Sequence, residues 1–118
     1  MKNDITSLVD SLNSKISEGK IMEAFDEYYA DDVVMQENNT EPRVGKEVNR
    51  KNEEAFVNGL IGKPVMKVLS VATGDNVSIV EWFMDINHKD WGKSARNQVA
   101  VQHWKDGKIV HERFYYGA

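Results

Sequence analysis

The chain has 118 residues, 41% of them apolar and 29% charged, with a formal net charge of −4 and no cysteine. That is one domain's length, enough to bury a core without covalent staples. The negative balance argues against nucleic acid or a membrane surface as partner, and the missing cysteine excludes disulfides, thiol catalysis and cysteine-ligated metal.

Residues 1–7 carry no apolar stretch of the secretory kind, and no apolar run nears the ~20 residues of a membrane helix. The expectation is a cytoplasmic protein of one domain, 1–118. Ile5, Leu8, Val9, Leu12 and Ile16 recur at steps of three and four, which predicts a first helix. Asp4 or Thr6 can cap it and Gly19 can stop it. A second helix sets Met22, Phe25 and Tyr29 on one face, with Ala24 and Tyr28 beside it, and runs out at Ala30-Asp31-Asp32. Residues 33–37 form a short strand and 38–42 a loop. Gly45 precedes a third helix with Val48, Asn52, Ala55, Phe56 and Leu60 near one stripe. Its residues 46–51 and Glu53-Glu54 read as solvated faces, and Gly62-Lys63-Pro64 ends it.

Strands follow at 65–73, 77–87, 94–104 and 109–116, with a turn at Gly74-Asp75-Asn76 and a loop over 88–93 that leaves His88 in solvent. Asp106-Gly107 is the strongest turn signal in the chain. Helices first and a strand meander after them predict an α+β fold, with helices covering one sheet face.

The last hairpin can close with a two-residue turn or with a glycine bulge, and the two differ by one residue in register. The bulged form, with Gly107 left-handed, turns Gln98, Ala100, Gln102, Trp104, Val110, Glu112, Phe114 and Tyr116 toward the helices. On the preceding strand the inward set is Ser78, Val80, Trp82, Met84 and Ile86. The outer face then carries Ile79, Phe83, Val99, Val101 and Tyr115, with Ile109, His103 and His111. An apolar face of that extent predicts a homodimer through the outer side of the sheet.

Residues 30–37 (Ala30-Asp31-Asp32 through Glu37), then Glu41-Pro42-Arg43-Val44-Gly45, resemble a segment of the nuclear-transport-factor-2-like superfamily, especially its SnoaL-like polyketide cyclases and ketosteroid isomerases. Gly107-Lys108-Ile109-Val110 with Arg113, Tyr116 and Gly117 is similar to that superfamily's C-terminal strand. The resemblance implies a cone-like, curved antiparallel sheet wrapped around three N-terminal helices, a cystatin-like α+β barrel with a pocket on its concave side, often dimeric. It places Glu37 where the isomerases carry their general base. It places Leu12 and Ala100 where they carry oxyanion-hole donors, and Phe114 where the cyclases carry an acid. Neither Leu12 nor Ala100 can donate a hydrogen bond, so authentic ketosteroid isomerase activity is disfavoured. Tyr116 fits the isomerase pattern.

Glu37 and Glu112 both point inward in this reading. In an apolar cavity burial would raise at least one of their pKa values and make it an acid or base usable near neutrality. Glu112 could instead pair with a buried Arg or Gln and only fix the sheet. Asn52, Gln98 and Gln102 can orient a ligand or satisfy one another. Trp82, Met84, Trp104, Phe114 and Tyr116 can wall a ring-shaped ligand or simply pack the core. His103 and His111 lack a third ligand at metal-binding spacing, so no metal and no cofactor are expected. The resulting expectation is a pocket for a small apolar molecule, acting as an acid–base isomerase, cyclase or dehydratase on a cyclic carbonyl compound. The alternatives are a non-catalytic ligand-binding protein and a dimeric interaction module.

Overall fold

A computed structural model of the chain describes residues 4–117. Helix α1 spans Thr6–Ser17 and buries Val9, Leu12 and Asn13. The Asp4 side chain accepts the Thr6 N–H (3.0 Å) just ahead of it. Gly19 ends it, with its own N–H on the Ile16 carbonyl (3.0 Å) and the Lys20 N–H on that of Lys15 (2.8 Å). Helix α2 spans Ile21–Tyr28 and buries Ala24, Phe25 and Tyr28.

Strand β1 spans Tyr29–Glu37, longer than predicted. Tyr29 has already left the helix, at φ −105° and ψ 132°. Asp31 and Asp32 therefore lie inside a strand, both exposed, on the stretch where the ladder to the last strand shifts register. Strand β2 (Arg43–Val44) is new to the sequence reading, and α3 follows over Lys46–Gly59. The buried side of α3 is rotated from the predicted one: Asn52 and Phe56 face inward as expected, but Val48 is 52% exposed, while Asn49 is fully buried. Hydrogen bonding decides this rotation. The Asn49 amide donates to the carbonyls of Gly45 (2.8 Å) and Arg43 (3.0 Å) and accepts from Arg43 Nε (3.1 Å), tying α3 to β2.

Strands β3 (Val65–Gly74), β4 (Val77–His88), β5 (Gly92–Lys105) and β6 (Lys108–Tyr115) complete a curved, unclosed sheet ordered β2-β1-β6-β5-β4-β3. Neighbours are antiparallel except β1 and β6, which run parallel. The helices lie on the concave face, over a core that includes Val9, Leu12, Phe25, Tyr29, Met35, Val80 and Trp82.

The last hairpin corrects one detail of the faces. Asp106 (φ 52°) and Gly107 (φ 80°) both take left-handed conformations in a two-residue turn, with Lys105 opposite Lys108. The bulge lies further along, where Trp104 faces Ile109 and His103 faces His111, so Val110 is the extra residue. Ile109 is therefore fully buried, and Val110 is not. From His111 onward the faces are as predicted. On the convex side Ile79 and Tyr115 are each 43% exposed, and Phe83, Val99 and Val101 are half-buried.

His88, predicted to be solvated, is buried at the end of β4. Its Nδ1 accepts the Asp90 N–H and its Nε2 donates to the Ala55 carbonyl, both at 3.1 Å. Gly59 makes room for that ring: a Cβ there would sit 2.0 Å from His88 Nε2. Gly59→Ala should lower stability by about 1–3 kcal/mol, the range for overpacking. An unchanged urea midpoint would mean the imidazole swings aside freely.

Candidate functional site

Between the helices and the concave sheet face lies a cavity of about 610 Å³. Trp91 (58% exposed), Gly92 and Lys93 line it, so it reaches the surface at the β4–β5 turn. Phe25, Phe56, Trp82, Met84, Phe114 and Tyr116 give it apolar walls. Glu37, Glu53 and Glu112 bring carboxyl groups to it, and Arg43, Lys93 and Arg96 bring cations.

Glu112 is 1% exposed, and both its oxygens are occupied. Oε1 accepts the Tyr29 hydroxyl (2.6 Å) and Oε2 accepts Gln102 Nε2 (2.7 Å). Gln102 is held in that sense from behind. The Trp104 indole can only donate, and it donates to Ser78 Oγ (2.9 Å). Ser78 must then donate onward to Gln102 Oε1 (2.6 Å), which turns the amide N–H toward Glu112. A proton on Glu112 would sit on Oε1, and the Tyr29 hydroxyl would then accept it instead of donating. Burial pushes the Glu112 carboxyl up to about 7, against the pull of its Tyr29 and Gln102 hydrogen bonds. The Tyr29 hydroxyl is held well above its usual range, chiefly by burial and then by the Glu112 charge.

Glu37 sits at the end of β1, where three elements meet. Its Oε2 pairs with Arg43 Nη1 (3.1 Å) from β2, and its Oε1 accepts the Tyr116 hydroxyl (3.1 Å). Its side chain remains 35% exposed. Asn49 in turn fixes the Arg43 guanidinium.

Glu53 corrects the sequence reading. It lines the cavity rather than a solvated helix face, because the Asn49 anchor rotates α3 and carries position 53, one turn on, inward. Among the described residues its carboxyl has no hydrogen-bond partner. Burial, then the charge of Glu112, raises it to about 7, with Arg43 opposing and Glu37 adding to the rise.

Of the residues singled out from the sequence, Glu37, Glu112, Asn52, Trp82, Met84, Gln98, Gln102, Phe114 and Tyr116 all line this one cavity. Trp104 does not. It lies in the core, edge-on to Tyr28 (6.3 Å between centroids), and acts there as the donor that starts the Ser78 chain. Sequence reasoning missed Arg43, Glu53, Phe56, Trp91 and Arg96 at the cavity; of Tyr28 and Tyr29, one of which the sequence places inside with its hydroxyl near the pocket, Tyr29 lines it. A strand start four residues earlier, at Tyr29, and a helix stripe keyed on Asn49 were the signals for the place of Tyr29 on the sheet and for Glu53. Leu12 and Ala100 are buried in the core and line no part of the cavity. His103 and His111 stand side by side across β5 and β6, 5.6 Å between rings. Burial, then the neighbouring His103 charge, holds His111 below its usual value. Among the described residues no three metal-ligating side chains are grouped.

A family model described as a SnoaL-like domain matches residues 9–112. No curated protein matches the sequence. Among solved structures, one from Mesorhizobium loti assigned as a SnoaL-like polyketide cyclase [carbohydrate phosphatase] superposes with a TM-score of 0.83 at 22% identity, over 97% of this chain and 100% of that one. An NTF-2-like protein of unknown function from Burkholderia xenovorans LB400 gives 0.74 at 20% identity, over 96% and 82%. An LEH-like epoxide hydrolase from M. tuberculosis gives 0.76 at 13%, over 94% and 80%. At these identities the likeness is one of fold.

The two raised carboxyls set a pH dependence. The native state holds protons that the unfolded chain, near the ordinary value of 4.5, has released, so stability falls as pH rises from about 4.5 to about 7. Urea midpoints at pH 5 and pH 8 should differ in that direction, and Glu53→Gln should narrow the gap. The same gap in the variant would mean Glu53 ionises as freely as an exposed acid.

Proposed function

This chain belongs to the SnoaL-like domain family, and within it we propose that the cavity performs acid–base chemistry, of the isomerase, cyclase or dehydratase kind, on an apolar cyclic carbonyl compound. The observation that carries the reading is Glu53: a carboxyl without a hydrogen-bond partner, raised to about 7, in a cavity walled by aromatic rings. Such a group exchanges protons readily at neutral pH. Glu37, oriented by Arg43 and Tyr116, is the base that removes a proton from the carbon next to the carbonyl. Neutral Glu53 donates to the oxygen as negative charge develops there, a role the residues at Leu12 and Ala100 cannot fill. Gln98 orients, Glu112 and Gln102 brace the wall behind it, and Trp82, Met84, Phe114 and Tyr116 hold the ring, with Asn52 at the α3 wall.

One observation favours a second reading, a binding protein without chemistry: both Glu37 oxygens already have partners. Exchange of the α-protons of 2-tetralone in D₂O, followed by NMR, separates the two. Catalysis predicts exchange above the buffer rate, lost about 10²-fold or more in Glu37→Gln, the usual size of a general-base contribution. It also predicts loss of rate above pH ~7 as Glu53 ionises. Saturable binding of 2-tetralone with exchange at the buffer rate would favour the second reading. An undiminished Glu37→Gln rate would remove Glu37 as the base.

We also propose a homodimer through the convex sheet face, supported by the exposed Ile79 and Tyr115 beside Phe83, Val99 and Val101. Light scattering at micromolar concentration should give about twice 13.5 kDa, and Val101→Glu should reduce it to the single-chain mass. A wild-type mass of 13.5 kDa would overturn the dimer.

A further inference from the structure

We infer that the ligand of the cavity carries a carboxylate, and that Arg96 is the residue that receives it. The inference rests on the cavity being a ligand site, as proposed above.

The chain has four arginines, and three are occupied. Arg43 pairs with Glu37 and bonds Asn49. Arg50 pairs with Asp26 on the surface. Arg113 donates to the Asn38 carbonyl (2.9 Å) and the Asn39 side chain (2.6 Å). Arg96 is different. It lies on the concave face of β5, opposite Met84, half-buried in the cavity wall. Among the described residues no carboxylate pairs with it. Its one hydrogen bond is long, from Nη2 to Gln98 Oε1 at 3.4 Å.

A half-buried guanidinium with most of its five donors unmet is costly unless something else supplies acceptors. The Tyr116 ring holds this one in place, with the guanidinium carbon 4.0 Å from the ring centroid. Contact with the ring engages a face of the planar group. The N–H donors lie along its edges, and paired donors there match the two oxygens of a carboxylate. Lys93 and Ser94, at the start of the same strand, also line the cavity. This β5 end is therefore cationic, beside the exposed Trp91. Glu112 and Glu53 stand elsewhere in the wall, on β6 and α3. A ring compound with its carboxylate on Arg96 would place its apolar body among Trp82, Met84 and Phe56.

Calorimetric titration with 2-naphthoate and its neutral isostere 2-naphthamide tests this. Wild type should bind the carboxylate about tenfold or more tighter than the amide, the scale of one charged hydrogen-bond pair. Arg96→Gln should bind the two alike. Arg96→Lys, which keeps the charge and serves if the glutamine variant does not fold, should retain part of the preference. Equal wild-type affinities, or a preference that survives Arg96→Gln, would overturn the inference and leave the pocket standing. Failure of both probes to bind would count against the pocket itself, and the inference would fall with it.

Discussion

A buried carboxyl group has to be met by donors, and the donors of Glu112 come from two different strands: Tyr29 on β1 and Gln102 on β5. Behind Gln102 stand Ser78 on β4 and the Trp104 indole, whose single N–H gives the whole chain one direction. Four of the six strands thus contribute to one buried polar line. A partly satisfied line of this kind would be worse than an apolar core, so its members have to meet together. That requirement explains the bulge at Val110. Without the extra residue, Gln102 would face His111 rather than Glu112, and the acid would turn to the convex side.

The polar line also organises the cavity. It occupies Glu112 on both oxygens, so that group bears on the rest of the cavity through its charge. Glu53 receives the effect: it is penalised by burial and again by the Glu112 charge, with no hydrogen bond and only the Arg43 charge in opposition. Glu37 is in the opposite situation, compensated by Arg43 and steadied by Tyr116. One carboxyl of the cavity is thus held by partners and another is left without a hydrogen bond. Tyr116 joins the two ends of this system, bonding Glu37 through its hydroxyl and holding Arg96 against its ring.

Much of this was legible in the residues. The alternation of Ser78, Val80, Trp82, Met84 and Ile86 gave the inward face of β4, and Gln98, Ala100, Gln102 and Trp104 gave that of β5, because a period-two pattern survives wherever one face is buried. Glu112 followed from its place in the same alternation. Ile109 did not, because a bulge is a tertiary accommodation with no local signature beyond the Asp106-Gly107 turn. Tyr29 was legible only as one of a pair with Tyr28, because the helical and strand periods overlap at the boundary between α2 and β1. Glu53 was hidden because α3 is oriented by a buried asparagine, which rotates the inward side from the stripe through Val48 toward Asn49 and Glu53. Arg96 reads in sequence as one more polar residue on a strand; its want of a partner is visible only in three dimensions.

The parallel seam between β1 and β6 has a kinetic meaning. Strands β3 to β6 are joined by short turns and can pair locally, but Tyr29 and Glu112 are 83 residues apart. Closing that distance carries a chain-entropy cost before any contact repays it, and topologies of this kind fold slowly for their size. The meander can form early, whereas the wall that holds Tyr29, Glu37 and the β2 arginine comes into being only when the two ends of the chain meet. The complete cavity wall would therefore form only after the meander, and no fragment lacking either end would contain it.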